Sequence, residues 1–416
     1  MSQSAEHVST SDIDLFWKVY DEVIEEEDFL KQVSLVDSLY LQKGSDGLKA
    51  MVEVRNYQAA QYVGLINRYP KFWESIRENT LSSKSLSKDL EHEIEKLKKL
   101  YPDLKPAKIY FVVGAMKSNG TTKGNAVLIG AELAMGSPSI DISEFEGKTK
   151  NWLEGFFGTN PIEAVTQLNA HEYVHTQQGL IPEGLLYQCL YEGIAEFISV
   201  RSSGKASQSP AIEFGENNPA VRQKFEREMF YNRTFEWLWN DTSNEFEIRD
   251  LGYYIGYAIA EKYYKQSKNK QAAIKELIEI DYADKAEANK IIDASNYFSK
   301  DIASLKKADT AKRPRVVGIK ELEGKSELVP ATSSSFTIVF SEALNGVNYG
   351  LNYSELGRDA FPELLEGKWS EDKTQFIVEV KLKPKSNYKF WLTEGFQNEE
   401  GIPILPYLIE FRTSAD

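Results

Sequence analysis

The strongest constraint on this chain is the string His171-Glu172-Tyr173-Val174-His175, which holds two of its four histidines. On a helix, residues four apart lie on the same face, so both imidazoles can bind one metal ion. Glu172 is then placed to take a proton from a water molecule at that metal. The string therefore predicts a zinc site that activates water. The plainer alternative is a pair of surface histidines on an ordinary helix.

The flanking residues predict that this string is helical. Asn160 suits the N-cap position, Pro161 the first helical position, and Glu163 the third, where it can complete a capping box. The run 161–178 contains no internal glycine or proline, and Gly179 follows it as a stop signal. We expect the two histidines to fall on the apolar face of this helix and to point inward, as a buried metal site requires.

A catalytic zinc takes three protein ligands, so a third must come from elsewhere in the chain. No histidine follows closely downstream, which leaves a carboxylate as the candidate. A second helix is predicted to begin near residues 182–184, and Glu192 and Glu196 lie four apart on one of its faces. Either residue could be the ligand. The alternative, two solvated charges, is disfavoured because the segment is otherwise apolar.

The pair of strings H-E-x-x-H and E-G-x-x-E resembles the Glu-zincins, which include thermolysin-like and aminopeptidase-N-like enzymes. The resemblance implies that Glu192 is the third zinc ligand and that Glu196 orients a ligand histidine. A longer ordered set resembles a Bacteroidetes family of predicted zinc-dependent proteases, some of which are described as gliding-motility-associated lipoproteins. Its members here are residues 12–21, 110–114, 120–122, 170–178 and 252–257. This resemblance spans roughly residues 10–300 and implies a zincin fold with peptidase activity.

A zinc peptidase needs a hydrogen-bond donor for the oxyanion that forms when water attacks the carbonyl. The tyrosine-rich helical segment 251–264 offers Tyr253 as the first choice and Tyr257 as the second. One helical turn separates them, so both could face the cleft. The alternative is that both tyrosines only pack.

The sequence also predicts two strands, 109–113 and 126–130, joined through a glycine-containing turn at 118–121. In zincins, an edge strand beside the cleft pairs with the extended substrate. The resemblance assigns that role to the segment 125–132. Its candidate substrate-binding residues are Asn125, Val127 and Ile129. An ordinary hairpin is the alternative.

Beyond residue 314 the apolar residues recur with a period of two, in runs at 335–341, 375–380, 388–392 and 408–412. These runs predict an all-β sandwich similar to bacterial Ig-like modules. The fold class is therefore predicted as α+β. A mostly helical zincin-like domain with a small sheet (10–305) precedes a charged linker (306–314) and the Ig-like domain (315–416). We expect the last domain to pack, to act as a spacer, or to bind an envelope protein partner.

The composition excludes several classes of function. The net charge of −14 argues against nucleic-acid binding, which needs basic patches, and against a polybasic membrane surface. No run of 18 apolar residues predicts a transmembrane span, and a single cysteine, Cys189, excludes a disulfide framework within the chain. The 42% of hydrophobic residues can build a full core.

Two locations are open from the sequence. The first ten residues are polar and carry no apolar signal core, which predicts a cytoplasmic protein if the chain begins at Met1. The family resemblance implies instead an envelope lipoprotein whose signal segment and lipid-bearing cysteine precede Met1.

The favoured function is a zinc metallopeptidase that acts on a peptide or protein substrate, with Glu172 as the general base. A non-catalytic structural or partner-binding envelope protein on a retained zincin scaffold is the second hypothesis. A zinc hydrolase that acts on another amide is the third. The intact Glu172 counts against the second hypothesis, because a scaffold without activity needs no base.

Overall fold

The chain is an α+β protein, about half helical, and its residues group into two units in the computed structural model. The structure describes residues 7–240, 244–322 and 328–415. Unit 1 comprises Met1–Phe225 with Thr234–Ser299, and unit 2 comprises Glu226–Arg233 with Lys300–Asp416. The sequence predicts a single boundary near residue 305, and it gives no sign that the short segment Glu226–Arg233 groups with the C-terminal part.

Unit 1 is mostly helical, as predicted from the spacing of its apolar residues. A π-helix at Val36–Leu41 and a 3-10 helix at Ser83–Leu86 accompany the α-helices. The α-helices are α1 (Ser11–Ile24), α2 (Phe29–Leu35), α3 (Asp46–Arg55), α4 (Ala59–Arg68), α5 (Pro70–Ser82), α6 (Ser87–Leu100), α7 (Ala131–Ala134), α8 (Gly147–Gly158), α9 (Pro161–His175), α10 (Leu185–Ser203), α11 (Pro210–Asn217), α12 (Pro219–Glu228), α13 (Thr234–Trp237), α14 (Leu251–Gln266), α15 (Lys270–Ile278) and α16 (Lys285–Ser295). The last residues of α12 belong to unit 2.

One four-stranded sheet belongs to unit 1, in the order β1-β2-β4-β3. Its strands are β1 (Val8–Ser9), β2 (Lys108–Val112), β3 (Gly120–Lys123) and β4 (Ala126–Gly130). The first three in this order are parallel neighbours, and β3 pairs antiparallel with β4. The strand β4 is thus bonded on both sides.

The sheet order corrects the predicted edge strand. The segment containing Asn125, Val127 and Ile129 is not an edge, because β4 lies between β2 and β3. Val127 and Ile129 are also fully buried, so neither can contact a substrate. The edge is β3. Its sequence, Gly-Thr-Thr-Lys, lacks the apolar alternation that identifies a strand, which is why the sequence analysis interprets its first residues as part of a turn.

The loop that leads from β2 to β3 is held by a buried carboxylate. Glu132 is fully buried and accepts hydrogen bonds from the backbone N–H groups of Gly114, at 2.8 Å, and Met116, at 3.0 Å. Burial raises the pKa of Glu132 to about 7, although these two hydrogen bonds act in the opposite direction. The position of β3 therefore depends on a group that titrates near neutrality.

Two helices, α10 and α14, approach each other closely through glycines. A β-carbon on Gly193 would lie 2.2 Å from the backbone nitrogen of Tyr257, and one on Gly256 would lie 1.9 Å from the carbonyl oxygen of Cys189. No side chain fits at either position, so the two backbones meet directly. This contact fixes the position of α14, and so of Tyr253, relative to α10.

Besides the end of α12, unit 2 contains one α-helix, two 3-10 helices (Lys320–Leu322 and Arg358–Ala360) and eight strands in the part of the chain that the structure describes. Its elements are α17 (Ile302–Lys312), β5 (Val316–Ile319), β6 (Leu328–Val329), β7 (Ser335–Phe340), β8 (Leu351–Tyr353), β9 (Glu363–Trp369), β10 (Gln375–Lys381), β11 (Asn387–Leu392) and β12 (Tyr407–Thr413). The strand orders are β5-β7-β10-β9 and β6-β12-β11-β8, and one hydrophobic core takes side chains from both sheets. The predicted linker at 306–314 lies mostly inside α17, which is capped by Asp301 accepting from Ser304 N.

A buried ionic cluster anchors α17 within unit 2. The guanidinium of Arg313 is almost fully buried and pairs with Glu394 at 2.5 Å and Asp309 at 3.7 Å. It also donates to the carbonyl oxygens of Pro403 and Ile404. Since a buried charge is tolerated only when it is paired and hydrogen-bonded, this cluster fixes how α17 meets the strands that follow it.

The glycine contact predicts the effect of Gly256→Ala. The added methyl group would collide with the backbone of α10, so we expect the free energy of unfolding to fall by ~1–3 kcal/mol or more. Gly64→Ala, in the exposed middle of α4 with nothing within 4 Å, is the control and should raise it by ~0.5–1 kcal/mol. Urea denaturation followed by circular dichroism measures both, and equal effects would contradict the proposed contact.

The raised pKa of Glu132 predicts a pH-dependent stability. The folded state holds the Glu132 proton more tightly than the unfolded state does. The contribution of Glu132 to the free energy of unfolding is therefore fully present below pH ~4.5 and is lost as the pH rises through about 7. The loss amounts to about 3 kcal/mol, at ~1.4 kcal/mol per unit of pKa shift. We expect Glu132→Gln to remove this decline, and Glu22→Gln, at an exposed position on α1, to leave it unchanged. Unfolding free energies between pH 5 and 8 would test it, and parallel profiles for wild type and Glu132→Gln would contradict it.

Candidate metal centre

The helix α9 carries both histidines, as predicted, but its ends differ from the prediction. Asn160 does not cap it with its side chain. It lies in the left-handed conformation at φ 58° and donates its backbone N–H to Phe157, as a residue that closes the preceding helix does. The helix also ends at His175 and not at Gln178. This early end lets Gln178 turn back toward the histidine.

Three ligand atoms converge in the buried interior between α9 and α10. The Nε2 atoms of His171 and His175 lie 3.1 Å apart, and the Oε2 atom of Glu192 lies 3.5 Å and 3.2 Å from them, respectively. The three side chains are only 7–8% exposed. Among the described residues, this trio is a group of donors able to hold one metal ion.

The spacing of these atoms fits a tetrahedral metal site. Metal–nitrogen bonds of 2.0–2.1 Å place neighbouring ligand atoms of a tetrahedron about 3.3 Å apart. The three observed separations, 3.1, 3.2 and 3.5 Å, bracket that value. Two histidines and one glutamate leave a fourth position for water or substrate, which is the donor set of a catalytic zinc site.

Hydrogen bonds to the other ring nitrogens set the tautomers of both histidines. The Nδ1 atom of His171 donates to Glu196 at 3.1 Å, and the Nδ1 atom of His175 donates to the side-chain oxygen of Gln178 at 2.7 Å. Each bond directs the lone pair of Nε2 into the centre of the cluster. Glu196 is itself held by the hydroxyl of Ser207. Gln178 donates its amide to the carbonyl oxygen of Tyr191.

The electrostatics of the cluster favour positive charge at its centre. Burial alone would lower the pKa of His171, but hydrogen bonds to Glu192 and Glu196 raise it to about 10. Burial would raise the pKa of Glu192, yet the charge of His175 and the hydrogen bonds from both histidines hold it well below its usual range. Two buried carboxylates thus call for a cation, which either protons or a metal ion can supply.

Glu172 lies beside this cluster and against the edge strand. A β-carbon on Gly120 would lie 2.6 Å from the Oε1 atom of Glu172, so a larger residue at this position would displace the Glu172 side chain from where it lies. Burial raises the pKa of Glu172, and the positive charges of His175 and His171 oppose that effect. A raised carboxyl pKa is the direction that a general base for neutral pH needs.

The two candidate tyrosines occupy different surroundings. The ring of Tyr253 stacks on His171, with centroids 5.9 Å apart. Burial raises the pKa of the Tyr253 hydroxyl well above its usual range, and the negative charge of Glu192 adds to this, so the hydroxyl remains a donor. Tyr257 lies one turn further along α14, where its ring packs edge-on against Phe197 at 5.6 Å.

Sequence analysis missed four residues around the site. Gln178 accepts a hydrogen bond from His175, and Ser207 donates one to Glu196. Both are polar residues in loops, where no sequence spacing identifies a partner. The ring of Tyr191 stacks on that of His175, with centroids 4.6 Å apart. Its position one residue before Glu192 could have predicted that it lies near the site. Arg55, from α3, contributes positive charge near Glu172, although it lies more than a hundred residues away in the sequence.

No family model matches the chain, and no curated protein matches it. Among solved structures, the N-terminal part of the bacterial S-layer protein SbsC matches with 13% identity, 97% of this chain, 71% of that chain and a TM-score of 0.19. The S-layer protein rSbsC matches with 11% identity over 97% of this chain and 44% of that chain, at a TM-score of 0.18. Domains 1–6 of SbsC match with 12% identity over 97% of this chain and 41% of that chain, at a TM-score of 0.19. At these TM-scores the likeness carries no argument about fold or function. In the described ranges, no helix has the length and apolar character needed to cross a membrane.

The hydrogen bond to His171 predicts a role for Glu196 in metal affinity. Glu196→Gln removes the charge that holds the ring, so we expect the affinity for Zn²⁺ to fall ~10–100-fold, with a larger loss in Glu192→Ala. Glu213→Gln, at an exposed position on α11, is the control and should bind as the wild type does. Competition with a chromogenic chelator measures the affinity. If Glu196→Ala loses the metal while Glu192→Ala keeps it, the third ligand is Glu196.

Proposed function

We propose that this chain is a zinc-dependent metallopeptidase in which His171, His175 and Glu192 hold the metal and Glu172 is the general base. The observation that carries the proposal is the mutual spacing of the three ligand atoms, between 3.1 and 3.5 Å. The H-E-x-x-H string and the donor set of two histidines and a glutamate support zinc over other metals.

The proposed mechanism assigns one task to each neighbouring side chain. Zinc bound at this cluster would lower the pKa of a water molecule and polarise the scissile carbonyl. Glu172, next to the cluster, takes the proton from the attacking water and later passes it to the leaving amine. Tyr253, whose hydroxyl stays protonated, donates to the oxyanion. Glu196 and Gln178 keep the histidine rings oriented throughout.

The edge strand β3 is the proposed binding site for the substrate backbone. It is the outermost strand of its sheet in the described part of the chain, and it passes directly over Glu172 at Gly120. A substrate strand added to that edge would carry its peptide bonds past the general base. Gly120 thus replaces the predicted residues of β4 as the point where the substrate meets the site.

Unit 2, on this proposal, is an Ig-like β-sandwich, and the chain belongs to the Bacteroidetes family that its sequence resembles. Two four-stranded sheets around one hydrophobic core support the first statement. The ordered strings of unit 1 support the second. We further propose export to the cell envelope as a lipoprotein, with unit 2 contacting an envelope partner.

The substitution Glu172→Gln tests the proposed function. The variant lacks a base but keeps every metal ligand, so we expect one zinc per chain and a loss of ~10²–10⁴-fold in kcat on a mixed peptide library. Zinc content comes from mass spectrometry, and cleavage from peptide mapping. Removal of the metal with a chelator should abolish wild-type cleavage, and added Zn²⁺ should restore it.

Two outcomes would overturn the proposal. If wild-type protein binds no zinc in the presence of excess metal, the cluster is not a metal site, and a non-catalytic scaffold becomes the better explanation. If Glu172→Gln cleaves peptides as fast as the wild type, the base is another residue. Glu163→Gln, at an exposed position on α9, is the matched control and should behave as the wild type does.

A further inference from the structure

Arg55 is the last residue of α3, and its side chain reaches the edge strand beside the candidate site. Its Nη2 atom donates to the hydroxyl of Ser118 at 3.0 Å and lies 3.5 Å from the carbonyl oxygen of Gly120. Ser118 in turn donates to the same carbonyl at 2.6 Å. The guanidinium therefore lies at the point where β3 passes over Glu172.

The charge of Arg55 has no acidic partner within the described residues. Arg77, Arg249 and Arg313 each lie within 4.0 Å of an aspartate or a glutamate, whereas Arg55 does not. It is only partly exposed, and its Nε atom is buried without a hydrogen-bond partner. A partly desolvated guanidinium is normally paired with an anion at short range, and no described acidic side chain lies within 4.0 Å of this one.

Arg55 gives the edge strand β3 a local positive charge, whereas the net charge of the whole protein is negative. The net charge of −14 would favour neutral or basic substrates at long range, but Arg55 places a positive charge 3.5 Å from the carbonyl oxygen of Gly120, where β3 passes Glu172. A substrate strand added to β3 at this point would bring the residues beside its cleaved bond close to the guanidinium. Short-range pairing with a guanidinium is directional, because its donors form a fixed fork that matches a carboxylate.

We propose that Arg55 selects substrates that present a carboxylate close to the scissile bond, a refinement that rests on the proposed peptidase function. The carboxylate has two sources, an aspartate or glutamate side chain that flanks the cleaved bond or the free carboxyl terminus of a short peptide. Both offer the same two oxygens to the guanidinium. Arg55 is thus a specificity-determining residue and takes no part in proton transfer.

A structural role for Arg55 makes a different prediction. If the side chain serves only to hold Ser118 and Gly120, its loss disturbs β3 for every substrate alike. If it binds a carboxylate, its loss changes the ratio between acidic and neutral substrates. The ratio of two kcat/KM values therefore separates the roles, which a single activity measurement cannot do.

The experiment uses full-length zinc-loaded protein and matched peptides. Bonds that the wild type cleaves in a peptide library are resynthesised with Glu or Gln next to the cleaved bond, and with a free or an amidated carboxyl terminus. We expect the wild type to prefer the carboxylate form on the order of 10–100-fold in kcat/KM, and Arg55→Gln to bring this ratio close to one. Lys49→Gln removes a positive charge from the same helix and should keep the wild-type ratio.

The two sources of the carboxylate give different patterns. Sensitivity to Glu versus Gln with no effect of amidation assigns the side chain, and the reverse pattern assigns the carboxyl terminus. A wild-type ratio near one for both comparisons overturns the proposal. An Arg55→Gln variant that slows all peptides equally and keeps the wild-type ratio also overturns it, in favour of the structural role.

A binding measurement keeps this proposal separate from the proposed function. Isothermal titration calorimetry on the Glu172→Gln protein uses a fixed set of alanine-based peptides, chosen without regard to cleavage, that carry a central Glu or Gln and a free or an amidated carboxyl terminus. It compares the affinity of each carboxylate peptide with that of its amide partner, with and without Arg55→Gln. If no peptide is cleaved by wild type, the peptidase function fails, while the calorimetric ratio still decides the role of Arg55. Equal affinities for carboxylate and amide peptides would refute the carboxylate site.

Discussion

The close approach of α10 and α14 is the constraint on which the candidate site depends. Glycines at positions 193 and 256 let the two backbones meet, and that contact brings one helix carrying Glu192 and Glu196 against another carrying Tyr253. The histidines on α9 then meet the glutamates on α10. Without the glycine contact, the stacking of Tyr253 on His171 could not occur at 5.9 Å. The packing of two helices thus contributes to the distance between His171 and Tyr253, the proposed metal ligand and the proposed oxyanion donor.

The sequence predicts the residues of the candidate site better than it predicts their surroundings. His171 and His175 lie together because a helical spacing of four places both side chains on one face, and that rule needs no tertiary knowledge. Glu192 meets them only through the packing of α10 against α9, which the resemblance implied and the spacing did not. Gln178 was missed because the helix ends at His175, and a helix end depends on the local chain path. The residue at which a helix ends depends on tertiary contacts, and a rule based on sequence spacing does not include them.

The strands show the same limit. The strands β7, β10, β11 and β12 were predicted because their apolar residues alternate, and β2 and β4 because their apolar residues form short continuous runs. Strands made of polar or exposed residues, such as β3 and β9 (Glu363–Trp369), were missed. Strand order was not predictable either, because it depends on pairing between distant segments. The error about the edge strand follows from that, and it matters because the edge is the part of a sheet that can receive another strand.

The buried polar cluster is costly for the fold, which makes its composition informative. Two carboxylates and two imidazoles lie in one interior, and removing charged groups from water costs several kcal/mol each unless they are paired. Ser207 donates a hydrogen bond to Glu196 and His175 donates one to Gln178, so the outer atoms are satisfied, while the Nε2 atoms of the histidines and Oε2 of Glu192 face one point. The central atoms lie within hydrogen-bond or ion-pair distance of one another, so protons on the imidazoles can satisfy them in place of a metal ion. The proposed metal is therefore supported by the donor set and its spacing, not by unsatisfied atoms at the centre.

If the proposed function holds, the edge strand links this cluster to substrate choice. Gly120 is next to Glu172 and its carbonyl oxygen lies 3.5 Å from Arg55, so one residue of β3 lies between a carboxylate and a cation. A substrate strand added to β3 would carry its reacting bond past Glu172 and the neighbouring residues past Arg55. Because a guanidinium pairs with a carboxylate through donors in a fixed fork, the strand that presents a bond to the proposed base would also present an acidic group to Arg55. The proposed base and the proposed specificity-determining residue are then positioned by a single glycine of the edge strand.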